Sequence, residues 1–159
     1  MWGMKNRWNP WRSLRCRPDV TLVFADPGPG TLGRVDYAHQ LITLHPDLLQ
    51  TERRSTLTHE LIHLERGPAA PGCEAREELC VDREAALRLV ELADLVTAAQ
   101  WTDDVHELAF ELWVDPDTVR VRLRHLTGRE HAVLARVRAS RDGESSDDGG
   151  DAVEVETWA

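Results

Sequence analysis

No apolar run in this sequence is long enough to cross a bilayer as a helix, which takes about 20 consecutive apolar residues. Residues 1–17 carry Trp and Arg but no apolar stretch of the kind a secretory signal needs, so a cytoplasmic location without membrane attachment is expected. Cysteine is scarce and odd in number: Cys16, Cys73 and Cys80 match neither a disulfide framework nor a finger-type zinc spacing. Reduced thiols are the expectation. A broad basic surface is also missing. The net charge is −9, and residues 141–159, with one Arg and seven acids, account for −6 of it, leaving −3 for residues 1–140. Nucleic acid is held mainly through phosphate neutralisation, so any DNA contact has to be local.

The chain does have the composition of a folded domain, with 42% hydrophobic and 30% charged residues in a length of 159. Residues 20–24 (Val-Thr-Leu-Val-Phe) read as a strand ended by Asp26-Pro27-Gly28-Pro29-Gly30, and residues 31–35 and 40–44 read as two more. The connections are too short for parallel crossovers, which predicts a small antiparallel sheet. A helix follows over 51–66, with Thr51 as N-cap and Gly67-Pro68 as the stop. Leu57, Leu61 and Leu64 form one buried face on it. A longer helix is expected over 74–99, and shorter ones over 103–112, 116–126 and 130–139. The predicted fold is α+β. A sheet of about three strands packs on the first long helix and on the second, and a C-terminal helical segment follows. The expected division is a domain over 1–100, a helical segment over 101–140 and an acidic disordered tail over 141–159.

The first long helix carries His59-Glu60-Leu61-Ile62-His63. Residues four apart share a helix face, so both imidazoles can reach one ion at about 2.0–2.1 Å. Glu60 is turned about 100° from His59. It can face a water at the metal without ligating, accept that water's proton and return it to a leaving group. With seven His and fourteen Glu in the chain, the pattern H-E-x-x-H arises by chance roughly 0.03 times in such a sequence. A catalytic zinc needs a third protein ligand and an open position. On the next helix, Ala75, Glu78, Asp82, Ala85 and Leu89 form one stripe, expected to face the core. Carboxylates on such a stripe need a partner. Glu78 is the expected third metal ligand, and Asp82 the acceptor that orients a ligating histidine. One Zn2+ is the expected cofactor.

Thr56-Leu57-Thr58-His59-Glu60-Leu61-Ile62-His63-Leu64, followed by Glu78-Leu79-Cys80-Val81-Asp82-Arg83-Glu84-Ala85-Ala86, resembles the ImmA/IrrE family of metallopeptidases over residues 20–126. Glu84 stands where that family commonly has Phe. The resemblance implies a zincin-like fold, a glutamate ligand at Glu78 and an endopeptidase activity. In length and in its Trp- and Arg-rich start the chain is similar to the short actinobacterial and phage members; better-known members cleave a helix-turn-helix repressor, so the resemblance also implies a specific protein substrate such as a repressor. The strand over 40–44 is a candidate edge for pairing with an extended substrate.

Residues 105–112 and 116–126, joined by a tight turn, resemble a helix-turn-helix segment. Arg120, Arg122 and Arg124 are the side chains that would meet DNA or a partner. A packing or protein-docking role is the plainer expectation for this pair. The competing functional reading is a non-catalytic adaptor that holds DNA or a repressor through these helices. The oligomeric state is not encoded in any visible pattern.

Overall fold

The computed structural model describes residues 8–144. It is α+β. In chain order the elements are α1 (Pro10–Arg15), β1 (Thr21–Phe24), β2 (Gly33–Asp36), β3 (Leu41–Leu44), α2 (Gln50–Arg66), α3 (Glu74–Leu89), α4 (Leu92–Ala99), α5 (Val105–Leu112), α6 (Pro116–Arg124) and α7 (Gly128–Glu144). No helix among the described residues is long and apolar enough to cross a membrane.

The sheet is mixed, not antiparallel as expected. Its order is β1-β3-β2, with β1 parallel to β3 and β2 antiparallel to β3. The reason lies in the chain between β1 and β2. Residues 25–32 need only pass the width of one strand, roughly 10 Å between the outer two, and so leave a slot that β3 fills by a tight hairpin. No helical crossover is required. β3 is therefore the central strand. The strand addition expected at residues 40–44 has no free backbone there; the open edges belong to β1 and β2.

α2 is the structural centre. Leu57 and Leu61 pack with Ile42, Leu44 and Leu48 beneath the sheet, while Ile62 meets Val81 and Ala85 of α3. Leu64 is only half-buried. At the start of α2 the Glu52 carboxylate accepts the Leu49 N–H at 2.7 Å, so the cap comes from Glu52 rather than Thr51. A further core joins the later helices through Val90, Leu95, Leu108, Leu112, Val119 and Leu134. Trp8 packs against this core and the sheet core alike.

Three boundaries differ from the sequence reading. A short first helix, α1, which the sequence reading does not include, starts at Pro10. Asn9 accepts the Arg12 N–H at 3.0 Å and Pro10 occupies the first turn, where its missing N–H costs nothing. The helix expected over 74–99 is interrupted at Val90 and Glu91, both in extended conformation, because the chain has to turn for α4 to reach α5 and α7. Residues 141–144 belong to α7 rather than to the tail, and the rest of the expected tail, 145–159, lies outside the described residues.

Candidate metal centre

His59 and His63 leave α2 on one face and meet α3. Their Nε2 atoms lie 2.9 Å apart. Glu78 closes the triangle, with Oε2 at 3.3 Å from His59 Nε2 and Oε1 at 3.2 Å from His63 Nε2. Ligands bound tetrahedrally at about 2.0–2.1 Å are separated from one another by roughly 3.3 Å, so these spacings fit one shared ion. Asp82 Oδ1 lies 3.1 Å from His59 Nδ1. A carboxylate only accepts, so the His59 proton sits on Nδ1 and its Nε2 presents a lone pair to the centre. Two imidazole nitrogens and one carboxylate thus converge on a single point. The group His59, His63 and Glu78 could hold a metal ion.

The sequence reading picked the ligand helix residues for a reason that the structure corrects. The stripe of α3 buries Ala85 and Leu89, but its N-terminal half opens onto a cleft, and the Glu78 side chain is 55% exposed. An exposed carboxylate directed at two imidazoles needs no core to explain it. Glu77 and Glu84, off that stripe, bind Arg66. Cys73 and Cys80 do not belong to the metal-competent group, and the His39 ring binds Asp36.

Glu60 is buried beneath β2. Burial pushes its carboxyl up to about 7, the His59 charge opposing and the Glu78 charge adding. For His59, burial acts downward, but the Asp82 hydrogen bond and the charges of Glu60, Asp82 and Glu78 outweigh it, and the net direction is up. His63 is held down by burial and by its neighbour His59. The His59 hydrogen bond holds Asp82 below the ordinary range. Such opposed environments within one cluster of titratable groups are characteristic of functional sites.

The cluster sits in a cleft of about 930 Å3. One wall is an open edge of the sheet, from Thr31 to Val35, with Tyr37 beyond it. The other is α6, through Asp117, Arg120, Val121 and Arg124. Two residues here escaped the sequence reading. Gly33 lies directly over Glu60, and its signal was a lone glycine inside a strand, a mark of close backbone approach. Tyr37, whose hydroxyl is held up by burial and then by the charges of Glu60, Glu78 and Glu77, gave no signal.

The three arginines of the C-terminal helix pair divide. Arg122 is buried, not available to DNA: its Nε donates to the Val90 carbonyl at 2.9 Å, and its Nη2 binds Glu130. That carbonyl is freed by the break between α3 and α4, so Arg122 is a structural cap. Arg120 and Arg124 line the cleft instead.

No protein-family model, curated protein or solved structure matches this chain.

Proposed function

We propose that this chain is a metal-dependent hydrolase and that the ion is zinc. The observation that carries the reading is the convergence of two imidazole nitrogens and one carboxylate at separations suited to a tetrahedral ion. This donor set leaves a fourth position open, as hydrolytic zinc sites require. Zinc held there supplies a Lewis acid that makes water a nucleophile near neutral pH and polarises a carbonyl.

More particularly, the chain acts as a zincin-like endopeptidase of the ImmA/IrrE type on a specific protein, such as a repressor. Two features support this step: the resemblance of residues 56–64 and 78–86 to that family, and a cleft bordered by an unpaired strand edge able to pair with an extended chain. Glu60 takes a proton from the attacking water and delivers it to the leaving amine. Burial favours the protonated form of this carboxyl, which helps it hold the proton between the two transfers. Asp82 fixes the His59 ring and its tautomer.

The adaptor reading loses support where Arg122 is buried and Arg120 and Arg124 line the cleft. The deciding experiment measures zinc content and cleavage of a randomised quenched-fluorescence peptide library. Wild type should hold one zinc, His63→Ala and Glu78→Ala should lose it, and Glu60→Gln should keep it while losing cleavage. Full zinc occupancy in Glu78→Ala would overturn the ligand set. Undiminished cleavage by Glu60→Gln would overturn the mechanism.

A further inference from the structure

Asp117, Arg120, Val121 and Arg124 all line the cleft. They follow the i, i+3, i+4, i+7 spacing of one helix face, and Val119 and Arg122 are buried on the core side of α6. Most charged groups along the cleft are already engaged. The Glu52 carboxylate accepts the Leu49 N–H, Asp115 caps α6 through the Thr118 N–H, and Asp117 binds Arg120. Asp82 holds His59, and Glu78 faces the two imidazoles. The Arg34 guanidinium, exposed on the sheet wall along Gly28, has no hydrogen bond or ion pair among the described residues. Arg124, on the opposite wall beside the metal ligands, is a second such cation. It is exposed, has no hydrogen bond or ion pair among the described residues, and stands near enough to Asp82 for its charge to help hold that carboxyl down. A full cation therefore borders the metal ligands without a carboxylate of its own. Arg120, one turn earlier, pairs with Asp117 across an exposed contact at 2.7 Å and its charge also reaches Asp104; a competing carboxylate can exchange such exposed partners at little cost.

We propose that Arg124, with Arg120 beside it, determines specificity by selecting peptides that carry an acidic side chain next to the bond to be cut. A guanidinium offers paired donors that match a carboxylate. A basic residue at the same place meets like charge and is rejected, so the wall discriminates in both directions. This inference rests on the peptidase reading above.

The test uses the zinc-loaded full chain and a quenched-fluorescence decapeptide library randomised around the cleavage site, with zinc content and circular dichroism checked for every variant. Wild type should favour Asp or Glu over Asn or Gln at one flanking position by about tenfold in kcat/KM, expressed mainly through KM. Arg124→Gln should bring that ratio close to one, and Arg124→Glu should turn the preference toward Lys and Arg. Cleavage with no acidic preference, or an acidic preference that persists in Arg124→Glu, overturns the proposal and leaves the hydrolase reading standing. No cleavage of any peptide by the zinc-bound protein overturns both.

Discussion

Gly33 lies so close over Glu60 that a β-carbon placed on it would sit 2.7 Å from Glu60 Oε1, and equally close to Thr56 Cγ2. The edge strand β2 and the proposed proton carrier are thus in direct contact, with no room for the smallest side chain between them.

Gly33→Ala should therefore act on chemistry rather than on metal binding. Either β2 lifts from α2 or the Glu60 carboxylate turns away. His59, His63 and Glu78 are not among the atoms that the new methyl meets, so zinc content should stay at the wild-type level. A misplacement of about 1 Å at a reacting group costs about 100-fold in rate, and overpacking of this kind costs about 1–3 kcal/mol of stability. Single-turnover rates beside metal analysis would check this. A wild-type rate would mean that Glu60 is not the proton carrier or that the strand yields freely.

The pairing of Asp82 with His59 at 3.1 Å predicts a different phenotype. Asp82→Asn keeps the shape but can present a donor to Nδ1, which favours the wrong tautomer. Loss of such a supporting contact typically weakens metal affinity by about 10–100-fold. Zinc affinity measured by chelator competition should fall by that factor, whereas Glu78→Gln should weaken it further by removing a ligand. Equal affinity in Asp82→Asn and wild type would show that the ring is oriented by packing alone.

What the sequence disclosed and what it concealed follow a physical division. His59, Glu60 and His63 were legible because helical spacing fixes where side chains point, and Glu78 and Asp82 because the same periodicity continues on α3. Strand existence was legible from β-branched residues, but pairing was not. Nothing local states that the loop over 25–32 skips a strand, so β3, expected at an edge, is central. The role of α6 was hidden for a similar reason. Arg120, Arg122 and Arg124 alternate in sequence, but a helix sends the middle one to the opposite side. Only the packing of α6 on α3 decides which side is cleft and which is core.

Arg122 and Glu130 supply a pH-dependent contribution to stability. The Arg122 hydrogen bond, with the Thr127 backbone and side chain, holds the Glu130 carboxyl at about 2, against an ordinary 4.5. A carboxyl lowered in the folded state stabilises above its unfolded value and loses that contribution as pH falls toward its folded value. The full shift corresponds to roughly 3 kcal/mol, which solvent screening reduces to about 1–2 kcal/mol. Glu130→Gln should therefore be less stable than wild type by about that amount at pH 7. The gap should narrow between about pH 4.5 and pH 2. Urea unfolding of both proteins across this range measures it. A gap independent of pH would assign the cost to packing instead.

Arg54 links α2 to the far wall of the cleft. It is buried, and it donates from Nη1 to the Leu112 and Trp113 carbonyls at 3.3 and 2.9 Å and from Nη2 to the Trp8 carbonyl at 3.4 Å. The first two acceptors belong to the turn that carries the chain from α5 into α6, where Trp113 adopts φ 57. That left-handed conformation is unfavourable for a bulky residue, so the turn depends on its hydrogen bonds. Arg54→Met keeps the apolar stem and removes the donors, leaving carbonyls unsatisfied at about 1–3 kcal/mol for each that stays dry. Unfolding free energy should drop by about 2–4 kcal/mol, since water reaches part of the turn. Because the proposed metal ligands lie on α2 and α3 and not on this turn, zinc content should be unchanged. KM should rise more than kcat falls, as expected when a wall that binds substrate loses its support while the reacting groups stay in place. Measuring all three on one preparation separates the outcomes. A variant that loses zinc in step with stability would show that α2 itself, rather than the α6 wall, relies on Arg54.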